Sequence, residues 1–307
     1  MNRLCAAGQS FSGVGPCDGA FGVPWGVIFA GANVELTPAD EANLLEKLQE
    51  LAINQDFAAD RIQPFGDIGN VTFSGEEPTM GTLAATGKTK MLRPGTAIYL
   101  FEYESGLCID AALDRFNDYK GGIFLITREP AQRLYGFRNS KGNIVPMPVQ
   151  SVAVFGGMFD DGQNFTTSKL RINLGSDRVL KRRAWFMSFA ADADLESLVG
   201  LRTAVLTVPD TQYPTDVLVQ DGCGYDSLFN EVGDEIIDPT NWKATNLADG
   251  VVNNPTNIVP SVNVPGAFTF TFGGGIGTYS LELAPPSELT EGLKGWASEP
   301  ITVISNT

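Results

Sequence analysis

The sequence contains no histidine in 307 residues. That absence excludes a Ser-His-Asp triad, a histidine-ligated metal and an imidazole pH switch within the chain. Cationic side chains are scarce as well: 21 Lys and Arg stand against 36 Asp and Glu, a formal net charge of −15. Tight phosphate binding needs clustered Lys and Arg that displace counterions, so this balance argues against a firm grip on nucleic acid. The four cysteines (Cys5, Cys17, Cys108 and Cys223) form no C-x-x-C pair, so their spacing gives neither a zinc site nor a dithiol motif. Long apolar runs are missing too. The longest, Phe21 to Val34, is broken by Pro24, Gly26 and Gly31 and falls short of the ~18 residues a membrane-spanning helix needs. The chain therefore reads as soluble, with no membrane partner, no cofactor and no metal.

What is present is turn-rich and apolar. Gly (34) and Pro (18) make up about a sixth of the chain, against an average near 12%. Hydrophobic residues reach 43%, too many for a disordered chain. The length suits about two domains, and the composition suits a mainly β fold. Charge divides the chain unevenly: residues 210–307 carry 13 acids and only Lys243 and Lys294 as cations, a net of −11. An asymmetry of that size predicts two parts with different surroundings, 1–209 and 210–307.

Local patterns predict few helices. Thr37-Pro38-Ala39-Asp40-Glu41 combines a capping residue, a proline at the first helical position and acids at the positive end of the dipole. Leu44, Leu45, Leu48 and Leu51 follow at helical spacing, so a helix is expected near 38–54. A second is expected over 108–119, stopped by Gly121-Gly122, and a short turn over 192–199. Residues 1–35 have no clear period and read as an arm ordered against a neighbour. Strand patterns fill most of the rest: 96–103, 123–128, a hairpin 134–138/144–149, and 203–208 closing the first block. Leu170, Ile172 and Leu174 alternate with Lys169, Arg171 and Asn173, and 185–189 reads as the return arm of a long hairpin. Short strands at 258–264, 268–272, 278–283 and 301–304 suit a small immunoglobulin-like sandwich.

Chemistry-bearing motifs fail on inspection. Gly87-Lys88-Thr89 resembles the end of a phosphate loop, but position 82 is Thr82 where glycine is required, and Pro94-Gly95 breaks the helix that must follow. Gly273 to Gly277 lies between strand patterns and reads as a hairpin turn, with no helix to receive a dinucleotide. Paired carboxylates could hydrolyse a glycoside. Glu76–Glu77 and Asp160–Asp161 are adjacent, so in a strand they point to opposite faces. Glu102 and Glu104 share a face only if the strand runs through Tyr103. Asp192 and Asp194 suit helix capping better than a calcium loop. No catalytic residue is assigned.

Arg178, Lys181, Arg182 and Arg183 form a basic band at the tip of the expected hairpin, in a chain rich in carboxylates. The order of Thr96–Tyr103, the helix Cys108–Tyr119, Ile123–Arg128 and the hairpin Leu170–Phe189 resembles the tail tube (major tail) proteins of tailed bacteriophages. The resemblance implies a β-sandwich or rolled-sheet domain over 1–209 with flanking helices and a long hairpin, and an immunoglobulin-like domain over 210–307. It implies a structural virion protein, not an enzyme, that packs against copies of itself and other virion proteins in stacked rings, through which DNA passes without being held. On that reading Leu170, Ile172 and Leu174, with Arg178, Lys181, Arg182 and Arg183, are the candidate contacts between copies. A capsid shell or head-decoration protein, or a carbohydrate-binding module, is the alternative.

Overall fold

The apolar run after Gly22 becomes strand β1 (Pro24–Ala30), whose residues Val27, Ile28, Phe29 and Ala30 are all buried. A strand covered on both faces shows no alternation, which is why the sequence displays no period there. Residues 24–30 are thus an interior strand and not an arm; residues 1–21 lie outside the described residues. The computed structural model describes residues 22–56, 58–82, 89–104, 107–129, 131–156, 167–176, 179–180, 183–222 and 226–306. The protein is mainly β, 46% strand and 15% helix. It divides into two units: the first runs to Val199, and the second comprises Gly200–Thr307 together with 52–56.

After β1 come a 3-10 turn (Pro38–Asn43), α1 (Leu44–Ile53), β2 (Ile62–Phe65), β3 (Ile68–Phe73), β4 (Thr79–Thr82), β5 (Thr89–Arg93) and β6 (Thr96–Glu104). Then follow α2 (Leu107–Asp114), β7 (Gly122–Thr127), β8 (Arg133–Arg138), β9 (Ile144–Val145), β10 (Met147–Pro148), β11 (Ser151–Gly156), β12 (Thr167–Ser176) and β13 (Ala184–Ser188). One sheet has the order β13-β8-β7-β1-β2, with β9 on β8 and β10 on β7; a second has the order β11-β12-β6-β3. Their facing sides enclose one core, to which Phe29, Leu125 and Phe186 contribute from the first sheet and Phe101, Val152 and Ile172 from the second. The first sheet is buried on its other face too, at Ile28, Phe124, Leu134 and Met187.

The helices differ from expectation at their ends. The Asp40 carboxylate accepts from the Thr37 N–H and hydroxyl, and this tight cap draws the first turn into 3-10 geometry before α1 begins. α2 stops at Asp114, and Asp118 takes the left-handed conformation (φ 59°). Gly122 does not stop the helix: a Cβ there would lie 2.4 Å from the Pro146 Cβ, so glycine permits β10 to approach β7. The turn after α2 carries Phe116, stacked 4.0 Å from Phe29, and Tyr119, whose hydroxyl donates to the Ala30 carbonyl at 2.6 Å. The 133–145 hairpin forms as expected, with Gly142 at φ 91° and the Asn139 side chain accepting from the N–H groups of Lys141 and Asn143. Pro146 then breaks the arm, and β10 transfers to β7.

The long hairpin at 170–189 does not exist. β12 pairs with β11 and β6, whereas β13 pairs with β8 in the other sheet. The two strands thus lie in opposite sheets, and Leu170 and Ile172 share a core with Ala184 and Phe186 instead of lying beside them in one sheet.

The second unit contains β14 (Arg202–Thr207), β15 (Asp216–Asp221), α3 (Phe229–Val232), β16 (Trp242–Asn246), β17 (Val252–Asn253), β18 (Pro255–Pro260), β19 (Ala267–Phe272), β20 (Gly277–Leu283), β21 (Trp296–Ser298) and β22 (Ile301–Ser305). Two sheets, β18-β19-β15-β14-β21 and β17-β16-β20-β22, close on one core. β14 pairs with β15 and β21, so it opens this unit instead of closing the first block. Trp242 is fully buried; its indole N–H donates to the Ile236 carbonyl at 2.7 Å and its ring meets Phe270 edge-on at 4.8 Å. Gly273–Gly277 also joins different sheets, so it is an arch and not a hairpin turn; Phe272 and Tyr279 stack across it at 4.5 Å. The Asp216 carboxylate, buried beneath this sheet, accepts from the hydroxyls of Ser261 and Thr269 at 2.5 and 2.6 Å.

Candidate self-association surfaces

The residues expected to touch another copy fall into three groups. Leu170, Ile172 and Leu174 are 0%, 0% and 7% exposed and belong to their own unit's core, because alternation on β12 turns them inward. They are corrected to core residues. Leu170→Ala is accordingly expected to cost about 2–5 kcal/mol of folding stability, read by denaturant unfolding; a loss confined to assembly would contradict this. Arg178, Lys181 and Arg182 lie outside the described residues. Arg183 is exposed, with its guanidinium 5.1 Å from the Phe137 ring centroid.

The outward face of the four-stranded sheet carries the polar half of the alternation. Across it, Lys169 pairs with Glu102 at 3.1 Å, and the Asn70 amide donates to Glu102 at 3.1 Å, while Arg171 is exposed beside them. β6 does run through Tyr103, ending at Glu104. The hydrogen bond from Asn70, then that from Lys169, hold the Glu102 carboxyl below its usual range. A glycosidase acid needs the opposite, a raised value. Burial pushes the Tyr103 phenol well up, so it stays neutral in the core.

Glu102 carries a pH prediction. Because its folded value is lowered, its stabilisation is complete above the ordinary glutamate pKa of about 4.3 and is lost as pH falls through the folded value. The melting-temperature gap between the wild type and Glu102→Gln is expected to narrow on going from neutral pH to about pH 3; a constant gap would refute it.

The two edges of this sheet differ. At β11 the Val152 carbonyl accepts from the Asp118 N–H at 3.2 Å and the Val154 N–H donates to the Asn117 side chain at 2.7 Å, so the turn after α2 covers that edge. At β3, among the described residues, no strand pairs with the outer side. Between β3 and β6 the chain forms β4 and β5, which among the described residues pair only with each other. Thr89 opens β5, so the segment after Gly87-Lys88 is strand and not the helix a phosphate loop requires.

This β4–β5 ribbon displays apolar side chains. Met80 and Met91 stand directly opposite each other at 54% and 41% exposure, and Phe73, at the end of β3, is 57% exposed. Phe73 lies 5.4 Å from Tyr99, which stacks on the buried Phe101, so an aromatic row runs out of the core toward the ribbon. Sequence reasoning missed these residues. The only signal was two short Thr- and Met-containing runs flanking a Gly-Lys-Thr triplet, too brief to show a period.

No protein-family model matches this chain, and neither a curated protein nor a solved structure does.

Proposed function

We propose that this protein is a structural component that associates with copies of itself, and specifically that it builds the stacked rings of a phage tail tube, a conduit for DNA. The observation that carries the reading is the ribbon β4–β5. A two-stranded ribbon alone is marginal in water, and exposed apolar side chains beside an unpaired edge are the ordinary material of strand-mediated association. Ring closure is a natural outcome for such a chain, since cyclic arrangements leave no edge open to uncontrolled growth. The formal charge of −15 supports passage of DNA without retention, because few cations are present to displace counterions.

Electron microscopy of the purified protein tests this directly. Hollow tubes with several copies per ring are expected. A protein that remains monomeric at every concentration, in isolation and in particles, would overturn it, and location in a shell instead of a tail would favour a capsid or decoration role.

A further inference from the structure

β13 is the outer strand of the seven-stranded sheet, and β8 together with the residue just before β13 carries three guanidinium groups, each laid over an aromatic ring. Arg133 lies 4.3 Å from the Phe186 centroid, Arg138 lies 4.6 Å from that of Trp185, and Arg183 lies 5.1 Å from that of Phe137. Stacking of this kind fixes the guanidinium plane and leaves its N–H edge to meet a carboxylate with two parallel bonds. Among the described residues no carboxylate does so. The acids nearby are already engaged: Glu35 accepts from the Asn139 and Asn143 amides, and Glu41 accepts from the Ser188 N–H. The Nε of that same Arg133 and the Trp185 Nε1 are buried, with no hydrogen-bond partner among the described residues. Edge strands do use isolated cations to repel other strands. That role explains a lone charge near this edge; it does not explain three cations, each seated on a ring.

Complementary charge is present in the same chain. Residues 210–307 hold 13 acids against Lys243 and Lys294, and both lysines are already paired, with Glu282 and Glu291. Asp210, Asp226, Asp234, Asp249, Glu288 and Glu299 are all exposed. We propose that the Arg138–Arg183 end of this edge docks on the acidic C-terminal unit of a second copy of this chain. This inference rests on the self-association reading and names the partner surface. A nucleic acid is the weaker candidate, because the chain's overall negative charge repels a long polyanion, whereas the acidic unit of a neighbour is tethered to an already associating first unit and so arrives at high effective concentration. Charge-complementary contacts of this kind set orientation and register as much as affinity.

The test uses the full chain. Arg138→Glu with Arg183→Glu is expected to weaken self-association about tenfold or more, and Arg138→Lys with Arg183→Lys to weaken it less, in sedimentation experiments at low salt, with the difference shrinking at high salt. The Gln pair serves as the neutral control if the Glu pair fails to fold by circular dichroism. Zero-length carbodiimide cross-linking of a mixture of normal and ¹⁵N-labelled protein is expected to join Lys141, which neighbours Arg138 in the hairpin loop, to acids of 210–307 on the differently labelled copy. Assembly of the Glu pair at the wild-type level, or cross-links confined to acids before residue 210, would overturn the inference and leave the self-association reading standing. Binding of a labelled DNA duplex that the Glu pair abolishes while assembly is unchanged would assign the edge to nucleic acid instead. A wild-type protein that never associates would overturn both.

Discussion

Replacing Met80 and Met91 by Asp is expected to abolish assembly while leaving the folded subunit intact. The two side chains face each other across β4 and β5 and are about half exposed, so their loss removes limited buried area and the opposed carboxylates repel, a cost of about 1 kcal/mol that leaves the subunit folded. In an interface the same exchange buries two carboxylates side by side, where each unpaired charge is strongly disfavoured. Loss of association by at least about a hundredfold, near 2.7 kcal/mol, follows. Sedimentation velocity with negative-stain microscopy reads the result, and a cooperative thermal melt shows that the subunit still folds. Tubes or rings at the wild-type level would remove the ribbon from the mechanism.

The largest effect on folding is expected from Trp242→Ala. The indole is completely buried, packs edge-on against Phe270 and donates to the Ile236 carbonyl. Truncation leaves a cavity and an unanswered carbonyl, together worth about 3–5 kcal/mol, a large share of the roughly 5–15 kcal/mol that holds a domain folded. Trp242→Phe keeps a ring and loses the hydrogen bond, so an intermediate cost of about 1–3 kcal/mol is expected. Equilibrium denaturation separates the three proteins, and a cost below about 1 kcal/mol for the alanine variant would show that the site collapses around the missing ring.

Two expected hairpins show where sequence reading stops. The strands holding Leu170, Ile172 and Leu174 and holding Phe268, Phe270 and Phe272 are legible in the sequence, and all six side chains lie in a core. In each case the next apolar strand was taken for a hairpin partner and lies instead in the opposite sheet. Alternation reports which side of a strand avoids water, and that side is the same whether the following strand pairs beside it or packs across from it. The distinction depends on which distant strand supplies the hydrogen bonds: β6 and β11 for β12, and β8 for β13. Consequently the candidate contact residues on β12 became core residues, and the self-association candidates moved to Phe73, Met80 and Met91.

Local chemistry was legible because its causes are local. The cap at Thr37 and Asp40, the Asn139–Gly142 turn, the absence of imidazole chemistry and the mainly β character all arise from residues a few positions apart or from composition alone. The covering of the β11 edge by Asn117 and Asp118, the stacking of three arginines on rings from β8 and β13, and the bare ribbon between β3 and β6 join residues far apart or lack expected neighbours. Such features follow from the free energy of burying two sheets against each other, to which every strand contributes and which no short stretch of chain encodes alone.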